Sequence, residues 1–332
     1  MKPGPSSMGG DLDRIYAPVA EDLEALTRLL RRELASGDPF ISGLVDHVLS
    51  AQGKLIRPAL ALLSASACGG ADEQRLWLAG TVELVHVASL IHDDIIDAAD
   101  LRRGESSVNA LWGNHIAVLL GDYLFATAFG LASRIRHPQV APAIAEASVL
   151  MSRAEIMAAE TGDRPHEDEA RYYAIIEGKT AALFSAACRC GALLAGAPST
   201  TADAMAEFGM RWGVAFQITD DALDLIGDPG SLGKPTGSDI DAGKITLPVI
   251  AALRNAPGPE RERLLSILQR PWDAGSRDDM RELLERHGGL QHAMGAARRS
   301  AAAAAAALDV LPDGPAKASL LHLAAFVVVR TH

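Results

Sequence analysis

The sequence predicts an all-α fold of roughly ten or more helices, and three observations support this prediction. Leucines and alanines recur at helical spacing from about residue 14 to the C-terminus, as in Leu23, Leu26, Leu29, Leu30 and Leu34. Strand signals are poor, because the chain has no Asn-Gly pair and few alternating runs of β-branched or aromatic residues. Glycine and proline clusters separate the helical stretches at 37–39, 69–70, 137–142, 196–198, 227–237, 256–259 and 312–315.

In chain order, the first element is a short N-terminal segment, residues 1–14, which we expect to be disordered. It contains two prolines, two adjacent glycines and no apolar stretch long enough for a signal peptide. Residues 72–99 form the longest helical pattern without proline, and their largely apolar middle is typical of a helix buried among others. Residues 301–307 are seven alanines, which indicate a strong helix. No repeat or composition break marks a linker, so we expect residues 15–332 to form one all-α domain.

The composition is that of a soluble globular protein, with 48% hydrophobic and 22% charged residues. The formal charge of −11 argues against a general nucleic-acid binder, which needs a basic face for phosphate contacts. Three cysteines, Cys68, Cys188 and Cys190, support neither a disulfide framework nor a structural zinc site, and a reducing compartment is expected. Asp122 and Arg189 interrupt the best apolar runs before they reach the roughly 18 residues of a spanning helix. We therefore expect no transmembrane segment and a cytoplasmic location.

Two short segments share an unusual acidic pattern, His92-Asp-Asp-Ile-Ile-Asp97 and Thr219-Asp-Asp-Ala-Leu-Asp224. On a helix, the first and last carboxylates of each segment point the same way, one turn apart. Like charges at that spacing repel in apolar surroundings, so a cation is expected to compensate them. Ligation by aspartate oxygens favours Mg²⁺, which usually completes its shell with phosphate and water. A single such motif is equally typical of a solvated acidic face; two copies favour a metal site, and motifs facing each other would hold several ions on one polyphosphate.

Basic residues accompany the two acidic motifs. They are Lys54, Arg57, Arg102, Arg103, Lys234 and Lys244. Arginine makes planar bidentate contacts with phosphate, and lysine near glycine approaches it as a point charge. Any one of these residues alone is typical of a solvated surface, but their joint position indicates a polyphosphate site.

Five motifs in this order resemble those of the trans-isoprenyl diphosphate synthases, all-α prenyltransferases that elongate an allylic diphosphate with isopentenyl diphosphate. They are Gly53-Lys-Leu-Ile-Arg-Pro58, His86 to Gly104, Gly178-Lys-Thr180, Phe216 to Asp224, and Leu232 to Asp239 followed by Gly243-Lys244. The resemblance covers about residues 15 to 330. It implies an isoprenoid-synthase-type bundle around a central cavity, and a homodimer whose interface includes the apolar region from Gly113 to Ser133.

The resemblance also implies a role for each matching residue. Isopentenyl diphosphate would be bound by Lys54, Arg57, His86 and Arg103. The allylic diphosphate would be bound by Arg102, Lys179, Lys234 and Lys244. Mg²⁺ would bridge it to Asp93, Asp94, Asp97 and Asp220 and, less directly, to Asp221 and Asp224. Thr180 and Gln217 would lie along the allylic chain near the developing cation. The residues expected to carry catalysis are Asp93, Asp94, Asp97, Lys179, Asp220 and Lys234.

Product length should depend on what closes the tunnel below the first acidic motif. One helical turn is about 5.4 Å, close to the length of one isoprene unit, so side chains at successive turns upstream of Asp93 would stop the product at successive lengths. Ala88 and Ser89 are small residues at positions where short-chain relatives often carry aromatic residues. Val85 and Leu84, which lie further from the motif, are not large enough to close the tunnel. We therefore expect a product longer than about fifteen carbons.

Other functions stay open. A geranylgeranyl diphosphate synthase is the nearest alternative. A class I terpene cyclase would not need Lys54, Arg57 and His86 for a second diphosphate. A non-catalytic subunit of a two-component prenyl synthase would be expected to lack one acidic motif, and a helical scaffold leaves the acidic motifs unexplained.

Overall fold

The computed structural model describes residues 7–50, 53–70, 72–160, 167–226, 240, 244–269 and 274–329. The predicted all-α fold is confirmed, because helices account for most of these residues. The α-helices are α1 (Ser7–Tyr16), α2 (Ala20–Glu33), α3 (Pro39–Ser50), α4 (Ile56–Ala67), α5 (Gln74–Ile96), α6 (Val108–Arg134), α7 (Val140–Ala159), α8 (Glu169–Ile176), α9 (Ala182–Leu194), α10 (Ser199–Ile226), α11 (Leu247–Asn255), α12 (Gly258–Ile267), α13 (Ala274–Arg286), α14 (Gly289–Ala307) and α15 (Pro315–Phe326). Shorter elements are two 3₁₀ turns (Ala17–Val19 and Leu308–Val310), a π-helical turn (Glu177–Ala181), and the strands β1 (Leu101–Arg102) and β2 (Glu105–Ser106), which pair antiparallel.

The chain divides into two compact units. The first consists of Met1–Ser148, Leu183–Gly209 and Ala305–Leu323. The second consists of Val149–Ala182, Met210–Ala304 and Ala324–His332. A single domain over residues 15–332 stays a prediction.

The first unit is built around α5, which packs against α2, α4 and α6. Leu78, Val82 and Val85 of α5 are fully buried. Gly80 permits close packing, because a Cβ at this position would lie 3.1 Å from the side chain of Leu131 on α6. The predicted buried helix is therefore confirmed, and the first acidic motif lies at its C-terminal end.

The second unit has two apolar clusters. One joins α11, α12 and α13 through residues that include Leu264 and Leu283. The other surrounds α8 and includes Tyr172, Ile218 of α10 and Ala297 of α14. This second cluster supports α8 and the part of α10 that carries the second acidic motif.

The N-terminal segment differs from the expectation of disorder over residues 1–14. Its described part is helical, because α1 begins at Ser7. Leu12 and Ile15 are buried and lie three positions apart, which gives α1 one apolar face. Residues 1–6 lie outside the described residues.

Helix α6 bends at Gly113, whose φ of 82° lies in the region that favours glycine. By length and composition α6 could cross a membrane, with a mean hydropathy of 1.6 over its most apolar window, of which 39% is buried. Core helices of soluble proteins share this length and composition, and Asp122 lies within α6. The absence of a transmembrane segment therefore stays a prediction.

Candidate active site

The first acidic motif has one buried aspartate and two accessible ones. Asp93 is half-buried and Asp97 is exposed, whereas Asp94 is only 4% exposed. Arg102 donates from Nε to Asp94 Oδ1 over 2.8 Å and makes a second, shorter contact through Nη2. Burial raises the pKa of Asp94, and the bond to Arg102 opposes this change. Asp94 is thus tied to the guanidinium, while Asp93 lies in the last turn of α5 and Asp97 caps the helix by donating its backbone N–H to the carbonyl oxygen of Asp93 over 2.8 Å.

The hairpin of β1 and β2 places Arg102 beside Asp94. Arg102 pairs with Glu105, and a two-residue loop of Arg103 and Gly104 joins the strands. Both loop residues have left-handed backbones, with φ of 55° and 82°. Such a turn suits the twist of a hairpin, so the Arg-Arg-Gly sequence itself explains how the chain reverses after the acidic motif.

Arg57 and His86 form a direct pair in the first unit. Arg57 Nη1 lies 3.0 Å from His86 Nε2, and the Arg57 guanidinium lies 4.3 Å from the centre of the Phe184 ring. Desolvation and the positive charges of Arg57 and its neighbours hold the pKa of His86 well below its usual range. The imidazole is therefore neutral, and its Nε2 accepts the hydrogen bond from Arg57. Burial lowers the pKa of Arg57 to about 10, which leaves it protonated at neutral pH.

Glu83 adds a buried negative charge near these cations, and sequence reasoning assigned it no role. It is 4% exposed; burial raises its pKa, while the charges of Arg57 and Arg103 lower it. A buried carboxylate is costly unless it is compensated, which explains why it occurs beside two arginines. A single glutamate in an apolar stretch of sequence was the feature that could have indicated a buried, compensated charge.

The segment that carries Lys54 is held from the N-terminal helix. Tyr16 of α1 donates its hydroxyl to the carbonyl oxygen of Lys54 over 2.9 Å. Leu55 follows with a φ of 50°, an unusual conformation for a branched side chain, and α4 begins at Ile56. The lysine is exposed, and the constrained backbone around it fixes where α4 begins.

The second acidic motif repeats the arrangement of the first. Asp220 and Asp224 of α10 are half-buried, and Asp221 is 4% exposed. Both oxygens of Asp221 accept hydrogen bonds: Tyr172 Oη donates to Oδ2 over 2.6 Å, and Gln217 Nε2 donates to Oδ1 over 2.7 Å. Sequence reasoning missed Tyr172, because only tertiary packing brings α8 to α10.

Lys179 and Thr180 lie on the π-helical turn Glu177–Ala181. Single π-helical turns occur often at functional sites. Lys179 Nζ lies 2.5 Å from an oxygen of Glu155, and Thr180 Oγ1 donates to Gln217 Oε1 over 2.7 Å. The turn therefore presents a cation and a hydroxyl from adjacent positions.

The donor set fits Mg²⁺. Each motif offers an accessible pair of aspartates at i and i+4 and ties its second aspartate to other side chains. Within the described residues, no group of three or more His, Cys, Asp or Glu side chains could hold a metal ion. Mg²⁺ typically takes one or two carboxylates and completes its shell with phosphate and water, so such pairs suffice. That the two motifs face each other across a cavity stays a prediction.

The structure places the remaining predicted residues as follows. Lys234 lies outside the described residues, and Lys244 is half-buried just before α11. Val85 and Ala88 are fully buried in the first unit, and Ser89 donates to the carbonyl oxygen of His86 over 2.8 Å. A pocket within the first unit is lined by residues that include Leu84, Leu124, Glu83, Asp94, Arg102 and Arg103. Of the four predicted chain-length residues, Leu84 is the one that lines this pocket.

Known proteins with similar sequences and structures share one chemistry. The model of a family described as polyprenyl synthetase matches residues 38–286. A short chain isoprenyl diphosphate synthase of Methanothermobacter thermautotrophicus is 40% identical over 297 residues, which cover 86% of this chain and 89% of the relative. An octaprenyl diphosphate synthase of Escherichia coli is 32% identical over 320 residues, 96% of this chain and 99% of the relative. A crystal structure of polyprenyl synthase from Caulobacter crescentus, complexed with calcium and isoprenyl diphosphate, superposes with a TM-score of 0.91 at 33% identity, covering 97% of this chain and 98% of that one.

Proposed function

Because the chain belongs to the polyprenyl synthetase family and is a trans-isoprenyl diphosphate synthase, we propose that it uses Mg²⁺ to condense isopentenyl diphosphate with an allylic diphosphate. The product is a linear all-trans polyprenyl diphosphate longer than about fifteen carbons, the length class of the octaprenyl relative. The observation that carries the proposal is the Arg57–His86 pair with Arg103 nearby, in addition to the acidic motifs. Condensation requires a second diphosphate site, whereas a terpene cyclase has no use for one.

Magnesium would be held by Asp93 and Asp97, and separately by Asp220 and Asp224. Asp94 and Asp221, which were also predicted as ligands, are instead buried and hydrogen-bonded to Arg102 and to Tyr172 with Gln217. Bound Mg²⁺ supplies positive charge that stabilises the diphosphate as it leaves carbon. The calcium in the Caulobacter crescentus structure supports divalent ions as partners of this family.

The chain's own residues supply the other steps. Arg57, neutral His86 and Arg103 hold isopentenyl diphosphate, and Lys179 neutralises charge that develops on the departing allylic diphosphate. The allylic C–O bond breaks, the double bond of isopentenyl diphosphate forms the new C–C bond, and the proton lost passes to the released diphosphate. No protein nucleophile takes part. Apolar helices keep out water, which would trap the cation.

The family resemblance also underlies our proposal of a cytoplasmic homodimer with one catalytic domain over residues 15–332. Helix α6 supports the dimer, because its side chains Leu111, Val118, Leu119 and Phe129 are large, apolar and exposed. Analytical ultracentrifugation is expected to show a dimer for the wild type and a monomer for Leu119→Glu. A wild-type monomer would contradict this part of the proposal.

The reaction is tested by incubating the protein with Mg²⁺, radiolabelled isopentenyl diphosphate and separate primers of increasing length. Asp93→Ala and Asp220→Ala should each lower turnover by at least about a hundredfold, as lost transition-state stabilisation does, with little change in the unfolding midpoint. Asp203→Ala is the matched control, because Asp203 is an exposed aspartate on the same helix as Asp220. Wild-type turnover in either motif variant at saturating Mg²⁺ would refute the assignment, and a product of twenty carbons would favour the geranylgeranyl alternative.

A further inference from the structure

Four side chains of the second unit form one hydrogen-bonded chain, from the π-helical turn through α10 to α8. Thr180 donates to Gln217, Gln217 donates to Asp221, and Tyr172 donates to the other oxygen of Asp221. We propose that Tyr172 and Asp221 are positioning residues, which fix the Gln217 amide so that its carbonyl oxygen points toward Thr180 and the allylic substrate. This inference rests on the proposed function and on the family resemblance, which implies that Gln217 lies near the allylic cation.

The chemistry of the partners determines the orientation of the amide. An ionised carboxylate only accepts hydrogen bonds, so Gln217 must turn its NH₂ group toward Asp221, at 2.7 Å. Its carbonyl oxygen then lies at the opposite end, where it accepts from Thr180 over 2.7 Å. Reversal would leave two acceptors facing each other at Asp221. The orientation therefore follows from Asp221 and not from the shape of the pocket.

Tyr172 completes the second half of this arrangement. Its hydroxyl donates to Asp221 Oδ2 over 2.6 Å, and both residues are buried, with 7% and 4% of their surface exposed. The ring packs in the apolar cluster around α8, and Tyr173 meets it edge-on with 5.6 Å between ring centres. Asp168 caps the start of α8 by accepting from the backbone N–H of Ala170. Packing and capping thus hold the ring, so Tyr172→Phe keeps the ring in place and removes the hydrogen bond to Asp221.

The orientation matters because the two ends of an amide carry opposite partial charges. A carbonyl oxygen near an allylic cation stabilises it, whereas an N–H group there would destabilise it. Without the Tyr172 hydroxyl, Asp221 loses the hydrogen bond at Oδ2 and can turn, and the amide is no longer fixed. Turnover should fall while diphosphate binding persists, because the proposed function assigns the Mg²⁺ that binds the diphosphate to Asp220 and Asp224 rather than to Asp221.

The test compares Tyr172→Phe with Tyr173→Phe, which makes the same change at the next position of the same helix. Each protein is assayed with radiolabelled isopentenyl diphosphate and with geranylgeranyl diphosphate as primer. Relative to the wild type, Tyr172→Phe should have a kcat about tenfold lower, which is the effect of losing a hydrogen bond to a charged group. Both KM values should stay within about twofold, and Tyr173→Phe should match the wild type within about twofold. In a Gln217→Leu background, Tyr172→Phe should change kcat by less than about twofold, because the group that it orients is gone.

Asp221→Asn keeps the inference testable if Tyr172→Phe does not fold. Asparagine offers a donor where the carboxylate only accepts, so the amide of Gln217 can reverse and kcat should again fall about tenfold. Calorimetry with a non-reactive thiolodiphosphate analogue should show the same Mg²⁺ requirement as the wild type within about twofold. A tenfold greater Mg²⁺ requirement would instead make Asp221 a metal ligand and overturn the inference.

Two further results would also overturn it: an unchanged kcat in the folded variants, or a tenfold loss that persists in the Gln217→Leu background. If the wild type makes no prenyl product with any primer, both the proposed function and this inference fail. If the wild type is active and the variants match it, the inference alone fails.

Discussion

Gly53→Ala should weaken the binding of isopentenyl diphosphate without unfolding the protein. A Cβ at Gly53 would lie 2.5 Å from Cζ and 2.8 Å from Nη1 of Arg103. Because ordinary van der Waals contact begins near 3.4 Å, the guanidinium must retreat by about 1 Å, which breaks a hydrogen bond of normal length. The guanidinium is the far end of a long side chain, so its retreat costs little stability beyond a weaker attraction to the buried Glu83.

The magnitude follows from the contact that is lost. A hydrogen bond to a charged group contributes about 1.5–3 kcal/mol, and solvent around an exposed arginine favours the lower value. About 1.5 kcal/mol corresponds to about a tenfold rise in KM for isopentenyl diphosphate, if KM follows binding. The KM for the allylic primer should change by less than about twofold, since the resemblance assigns Arg103 to the other substrate.

Steady-state kinetics with each substrate varied in turn measure this effect. Gly37→Ala is the matched control, because a Cβ at this loop glycine would meet nothing within 4 Å. An unchanged KM for isopentenyl diphosphate in Gly53→Ala would refute the reasoning. An equal rise in both KM values would show that the substitution acts on the whole site rather than through Arg103.

Three further predictions concern the first unit. Ala88→Phe should shorten the product if the product tunnel passes this fully buried position; chromatography that shows an unchanged chain length would exclude a tunnel there. The pKa of His86 is depressed in the folded state, so His86 supports stability above its ordinary value of 6.5. That support should disappear as pH falls below 6.5, by up to about 1.4 kcal/mol per pH unit. Denaturant unfolding between pH 7.5 and 5 should show a smaller loss in His86→Asn than in the wild type. Burial raises the pKa values of Cys188 and Cys190 to about 12, so mass spectrometry after native alkylation should find label at the half-exposed Cys68 first.

The acidic motifs could be predicted from the sequence because their geometry depends only on residues within four positions of one another. Helical spacing places Asp93 and Asp97, or Asp220 and Asp224, on one face of a helix whatever the rest of the chain does. The structure confirms that Asp220 and Asp224 lie within α10, whereas α5 ends at Ile96 and Asp97 caps it by donating its backbone N–H to the carbonyl oxygen of Asp93 over 2.8 Å. Periodicity alone was also sufficient for the buried helix α5.

What the sequence did not reveal depends on contacts between distant elements. Tyr172 lies 49 positions from Asp221, and Tyr16 lies 38 positions from Lys54. No periodic pattern encodes such pairs, because they arise only when separate helices pack. The N-terminal helix was missed for a related reason: glycines and prolines at the start of the chain obscured the short apolar face of Leu12 and Ile15.

The second aspartate of each motif shows how this long-range packing gives the local motif its function. The three aspartates of a motif are chemically alike. In the structure, however, Asp94 accepts a hydrogen bond from Arg102, and Asp221 accepts hydrogen bonds from Tyr172 and Gln217. Under the proposed function, a cation at either motif would therefore meet the two carboxylates that are more exposed than the third. Because Mg²⁺ retains coordination positions for phosphate when few carboxylates bind it, the partners of the buried aspartates leave room for a substrate. The helical repeat provides the carboxylates, and tertiary packing determines which of them are buried.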